Sequence, residues 1–218
     1  MKSQPQKSKE RLAVLGLIIG INGTGKTTFC SKFFRVLSQY RPVFFVHIGV
    51  EKAFNEYPEV SILNRSKIAH LKKGIYSVIA QDNSSFVQTT TDVMNGEPIK
   101  RIERKDVFFF VSQNIHNAIV VFDDVRNYLG DTIPQTLERL LIRRRQSMID
   151  VFMTFHGLNL VPPKLFDYWT KIILFETGTS IERSKHKIPD IDAIEAAVKK
   201  VNLASKTKHK NSFTIINR

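Results

Sequence analysis

"LAVLGLIIGINGTGKTTFC", residues 12–30, decides the fold. Residues 12–19 are an unbroken apolar run, as expected of a strand buried on both faces. Gly20, Gly23 and Gly25 then fall within six positions, and Phe29, Phe33, Val36, Leu37 and Tyr40 follow at helical spacing. After Pro42, "VFFVHI" reads as a second buried strand. Strand, glycine loop, helix and strand, in that order, open an α/β parallel sheet.

Gly20-x-x-x-x-Gly25-Lys26-Thr27 matches the Walker A pattern, with the right elements on either side. Glycines let the backbone wrap a phosphate with its N–H groups pointing inward, beside the positive N-terminus of a helix. Lys26 is then expected to reach the β- and γ-phosphates, and the Thr27 hydroxyl to ligate Mg²⁺. The expected nucleotide contacts are Gly20, Asn22, Gly23, Thr24, Gly25, Lys26, Thr27 and Thr28, with ATP and Mg²⁺ as ligands. A glycine-rich turn that binds nothing is the bland alternative, and the flanking strand and helix weigh against it.

The partner motif is "AIVVFDDV", residues 118–125. Its apolar run delivers Asp123 to the end of a buried strand, where a Walker B carboxylate would hold the magnesium through water. Asp124 follows directly, placed to polarise an attacking water. Acid pairs also cap loops after strands. Adjacent carboxylates repel unless a cation lies between them, which favours a metal site.

The rest of the chain reads less sharply. Residues 1–11 are a polar, basic arm, and 12–204 the catalytic domain. Residues 205–218 form a second basic segment, read as a tail. "GIYSVIA" suits a short strand, 81–97 a surface loop or insertion, and 99–114 a helix ending near "QNIHN". A helix from Pro134 to about Arg145, the strand "DVFMTF", a short helix near "PPKLFDYW" and the strand "KIILFE" follow. "IPDIDAIEAAVKKV" is a late helix, its acids early and its lysines late, as the helix dipole favours.

Composition narrows the class. Against 20 acidic residues stand 33 lysines and arginines, a net charge of +13 that attracts polyanions, nucleic acid first and anionic membrane second. A lysine-rich genome would give the same balance. The lone Cys30 excludes an internal disulfide or a cysteine zinc cluster and reads as a small core residue in a reducing cytosol. The apolar run at Leu12 is about half a membrane span, so neither a membrane anchor nor a signal peptide is expected.

Taken together, "VVFDDV", "IRRRQSMIDVFMTFHGL" and "KIILFET" resemble the FtsK–HerA superfamily of DNA-pumping ATPases, above all its small viral and phage genome-packaging members. The resemblance covers most of the segment from Leu12 to Glu176, and its motifs are the specific part. In that family an arginine beyond the Walker B helix precedes, by eleven residues, a polar residue at the tip of the next strand; Arg145 and His156 have that spacing. The resemblance implies that His156 senses the γ-phosphate and that Arg145 serves catalysis. Asp124 stands where many relatives carry Glu, and His156 where they usually carry Gln. His156 would otherwise cap a strand end, and Arg143, Arg144 and Arg145 would form a solvated or DNA-facing surface. Zonula occludens toxin-like members carry a membrane span, which this sequence lacks.

The expected fold is therefore a P-loop NTPase: a mostly parallel sheet with helices on both faces, of the additional-strand (RecA/FtsK-like) class. The expected activity is ATP hydrolysis that translocates double-stranded DNA in a homo-hexameric ring. The host cytoplasm or the virion is its expected location, and a capsid or portal-vertex protein its expected partner. Two rivals stand beside it: a small-molecule kinase, and a helicase-loader-like protein that uses ATP as a switch.

Overall fold

The computed structural model describes residues 13–47, 56–58, 71–79, 85–94, 97–127, 129, 132–178, 188, 190–207 and 211–218, with 85–94 and 97–105 at backbone level. In chain order, β1 (Leu15–Ile19) leads into α1 (Lys26–Leu37) and β2 (Pro42–His47). Next come β3 (Gly74–Ile79), β4 (Ser85–Met94), β5 (Glu97–Asp106) and α2 (Val107–Asn114). β6 (Ile119–Phe122), α3 (Gln135–Arg143), β7 (Asp150–Phe155) and β8 (Lys171–Phe175) follow. The chain closes with α4 (Ile191–Thr207) and β9 (Phe213–Asn217).

Seven strands form one sheet in the order β3-β2-β6-β7-β1-β8-β9. All pair in parallel except β9, which runs antiparallel along β8. The apolar runs become interior strands because both their faces are covered, and the period-two alternation sorts each run into two cores. Leu15, Leu17 and Ile19 of β1 join Val120 and Phe122, Val151 and Met153 on the face covered by α2, α3 and α4. Ile18, Val121, Phe152 and Ile173 point the other way, toward Cys30 and Phe34 of α1. Helices thus cover both faces, as expected. Gly16 is a packing residue: a Cβ there would lie 2.3 Å from the Phe152 ring.

The middle of the chain differs from the sequence reading. The stretch read as a surface loop and then a helix is an antiparallel pair, with Ser85 opposite Asp106 and Met94 opposite Glu97. Lys, Arg and Glu in β5 have good helix propensity, but the Val- and Thr-rich partner strand favours pairing. The helix starts only at Val107 because Asp106 caps it, its Oδ1 accepting from the Phe109 N–H at 2.8 Å. Thr136 donates its hydroxyl to the other oxygen of that carboxylate.

The C-terminal segment also differs from the tail reading. α4 runs to Thr207, and Phe213–Asn217 add β9 to the sheet, beyond the boundary drawn at residue 204. Its period-two exposure suits an edge strand with one face on the core. The arm at 1–11 lies outside the described residues, as do residues 208–210 of the basic segment.

At the N-terminal ends of the strands sits a closed polar cluster. The buried Arg41 guanidinium donates to Asp150 Oδ2 at 2.7 Å, to Ala118 O at 2.8 Å, to Asn117 O at 3.3 Å and to Met148 O. Asp150 Oδ1 accepts from Val14 N at 3.0 Å, so one ion pair ties together the starts of β1, β6 and β7.

Candidate active site

At the C-terminal ends of the strands, where parallel α/β sheets bind ligands, the chain leaves a cavity of about 420 Å³. The glycine loop hangs between two strand exits. Gly20 N donates to Phe155 O at 3.1 Å, and Ile21 N donates to Glu176 O at 2.9 Å. Gly23 and Gly25 sit at φ +78° and +88°, left-handed conformations that glycine adopts without a Cβ penalty. Gly25 is the N-cap of α1, so the positive end of that helix opens onto the cavity.

Of the expected nucleotide contacts, Asn22, Gly23, Gly25, Lys26, Thr27 and Thr28 line this cavity. Thr24 instead turns inward, its hydroxyl donating to Ile21 O at 2.8 Å. Gly20 is packed beneath the loop, where a Cβ would meet Phe175 Cβ at 2.6 Å. Lys26 Nζ donates to Gly20 O at 2.5 Å and Ile21 O at 2.9 Å. Burial pulls its ammonium below the ordinary lysine value, and Asp123 and Asp124 act the other way.

Both acids line the same cavity. The Thr154 hydroxyl joins them: it donates to Asp123 Oδ1 at 2.9 Å and accepts from Asp124 N at 2.7 Å. Asp124 sits at φ +43°, a left-handed conformation that Asp tolerates better than most side chains. That turn brings its carboxylate to His156, with Oδ1 3.2 Å from Nε2, while Asn127 Nδ2 donates to Oδ2 at 3.0 Å. His156 lines the cavity as well, at the exit of β7. The buried Nδ1 of His156 has no partner among the described residues.

Arg145 lies elsewhere. It is exposed in the turn before β7, whereas His156 follows the other end of that strand. At about 3.3 Å per residue, six residues of strand keep it well away from the P-loop of its own chain. Arg143 is exposed too. Arg144 is buried, donating to Leu141 O and, at 3.2 Å, to Tyr168 O, and its burial lowers the guanidinium pKa. Arg144 therefore holds the turn in place rather than facing a ligand.

Thr154 and Asn211 complete the cavity, and the sequence reading singled out neither. Thr154 carried a signal, as the one uncharged polar residue in the buried run "DVFMTF". Asn211 carried none, because its segment reads as a basic tail. Thr27 and Asp123 both line the cavity, and their hydroxyl and carboxylate oxygens are of the hard kind that would suit Mg²⁺ together with phosphate oxygens.

The sheet with its glycine loop is a P-loop NTPase fold of the additional-strand kind, since β7 lies between β1 and the β6 that carries Asp123. Solved structures share the architecture. The genome packaging NTPase B204 of Sulfolobus turreted icosahedral virus 2, in complex with AMPPCP, aligns at TM-score 0.63 with 14% identity, covering 94% of this chain and 92% of that one. The ATP-gammaS complex of that protein aligns at 0.61 with 13% identity and the same coverage. B204 of Sulfolobus turreted icosahedral virus, a DNA-packaging ATPase, aligns at 0.60 with 14% identity, again over 94% and 92%. No protein-family model matches the chain, and no curated protein sequence matches it. Among the described residues, no helix is long and apolar enough to cross a membrane.

Proposed function

We propose that this protein is an ATPase that moves double-stranded DNA during viral genome packaging. The observation that carries this reading is the convergence of Lys26, Thr27, Asp123, Asp124 and His156 on one cavity at the mouth of a helix N-terminus. The shared fold with B204, a genome packaging NTPase, and the net charge of +13 support the choice of DNA as the polymer moved.

In this reading the loop N–H groups and the helix N-terminus hold the phosphates. Lys26 offsets the charge that develops on the γ-phosphate. Thr27 and, through water, Asp123 would hold Mg²⁺, which would neutralise phosphate charge. Asp124 accepts the proton of the attacking water at Oδ1, and His156, on that same oxygen, orients the carboxylate. Thr154 keeps the acids in register. Arg145, too distant from its own P-loop, completes the site of a neighbouring subunit in a homo-hexameric ring. A capsid or portal-vertex protein would anchor that ring, in the host cytoplasm or on the virion.

ATP hydrolysis measured with and without duplex DNA, beside the native mass, tests the reading. A hexamer whose turnover rises with duplex DNA is expected. Phosphoryl transfer to nucleosides without DNA stimulation would install a small-molecule kinase instead. Slow turnover indifferent to DNA length would install an ATP-switched loader.

A further inference from the structure

Asn211 belongs to no motif, yet it lines the cavity. It packs so closely on the glycine loop that a Cβ at Gly25 would meet Asn211 Cγ and Oδ1, each at 3.0 Å. It reaches the loop from the stretch leading into β9, the edge strand beside β8. The cavity therefore has two chemically different sides. Asp123, Asp124, Thr154 and His156 come from the exits of β6 and β7, on one side of β1, while Asn211 comes from the other side, beyond β8.

That asymmetry orients a nucleotide. With Lys26 at the β- and γ-phosphates and the acids at the terminal one, a nucleoside would leave the loop on the β8–β9 side. Phe213 lies there, two residues beyond Asn211. It is 44% exposed although its ring packs on Phe29 at 5.0 Å and Phe175 at 5.4 Å between centroids. Phe29 in turn directly follows Thr28, which lines the cavity. Asn211, which lines the cavity, and the partly exposed Phe213 ring, which packs on the Phe29 that follows cavity-lining Thr28, thus share the short stretch that enters β9 on that side.

This pair matches a purine. An aromatic ring offers the flat apolar surface on which a base stacks. An asparagine amide offers one donor and one acceptor together, the pattern that pairs with the amino group and ring nitrogen of adenine. We propose that Asn211 and Phe213 form the base subsite of this cavity and that it takes adenine. The proposal rests on the nucleotide reading above and adds what the Walker motifs leave open, since they address phosphates and metal but not the base.

Equilibrium binding of ATP, GTP and inorganic tripolyphosphate, each with Mg²⁺, separates the two. The wild-type protein is expected to bind ATP more tightly than GTP or tripolyphosphate. Phe213→Ala is expected to weaken ATP roughly 5- to 100-fold, the usual range for loss of an aromatic stacking partner. Asn211→Ala is expected to weaken ATP and narrow its advantage over GTP. Tripolyphosphate affinity stays unchanged in both, which also shows that the loop remains folded. Phe213→Leu keeps the packing against Phe29 and Phe175 while removing the aromatic face, and is expected to weaken ATP in the same selective way. Wild-type ATP affinity in Asn211→Ala and Phe213→Leu overturns the proposal, and so does an equal loss of ATP and tripolyphosphate. If the wild type binds neither, the phosphate-loop reading itself has failed and the base subsite falls with it.

Discussion

Both ends of the parallel sheet bury charge, and they use it differently. At the N-terminal ends of the strands, Arg41 and Asp150 spend their hydrogen-bonding capacity on each other and on nearby backbone groups. At the C-terminal ends, Lys26, Asp123 and Asp124 are also tied down, but they are arranged around an open cavity. Burial of a charge is thus no mark of a site by itself. Convergence on shared empty space is.

Arg145 offers the sharpest way to break that contrast, because it lies at the closed end of its own sheet and is proposed to serve the open end of a neighbour. Arg145→Ala is expected to bind ATP and to lose about 10³–10⁵ in turnover, the range for an arginine supplied in trans. Mixing it with Lys26→Ala is expected to restore part of the rate, as interfaces with an intact loop and an intact arginine reform. No recovery in mixtures that co-assemble, or a fully active monomer, would return Arg145 to the quiet end.

Asp124→Asn tests the open end directly. ATP binding is expected to stay nearly intact while hydrolysis slows about 10²–10⁴-fold, the usual contribution of a general base. Wild-type turnover in single-turnover assays would remove Asp124 from the chemistry and leave it a loop residue.

The closed end is expected to answer in stability. Arg41→Met leaves the Asp150 carboxylate buried without its cation, a change that costs about 3–5 kcal/mol. The denaturation midpoint should fall, with ATP affinity preserved in the folded fraction. Lost ATP binding in a protein of unchanged stability would erase the distinction between the two ends.

Thr154→Val is the mildest change and bridges both properties. It keeps the shape but removes hydrogen bonds to a carboxylate and to the Asp124 N–H, worth about 1.5–3 kcal/mol where a charged group is involved. Stability by denaturation and the hydrolysis rate are both expected to drop. An unchanged rate would limit Thr154 to a structural role.

Much of the candidate site was legible because its parts are local. The spacing of Gly20, Gly25, Lys26 and Thr27 is contiguous, and Asp123 and Asp124 end an unmistakable apolar run. The hairpin at 85–106 is hidden in the sequence because its first strand reads as a polar loop and its second carries charged residues of good helix propensity, while the pairing depends on both strands together. Arg143, Arg144 and Arg145 look alike in sequence. Only packing buries the middle one against Leu141 and Tyr168.

By itself the sequence determined the α/β class, the phosphate loop and the acid pair, since helix and strand periodicity and a phosphate-wrapping turn are written in neighbouring residues. The tertiary structure alone decided that Thr154 would bridge the acids, that Asp124 would meet His156, that Arg145 would lie far from its own loop, and that Asn211 would close on Gly25. Each of these depends on the order β6-β7-β1-β8-β9, which brings together strand ends distant along the chain. That order is set by how two apolar faces are buried at once, and no local stretch of residues encodes it.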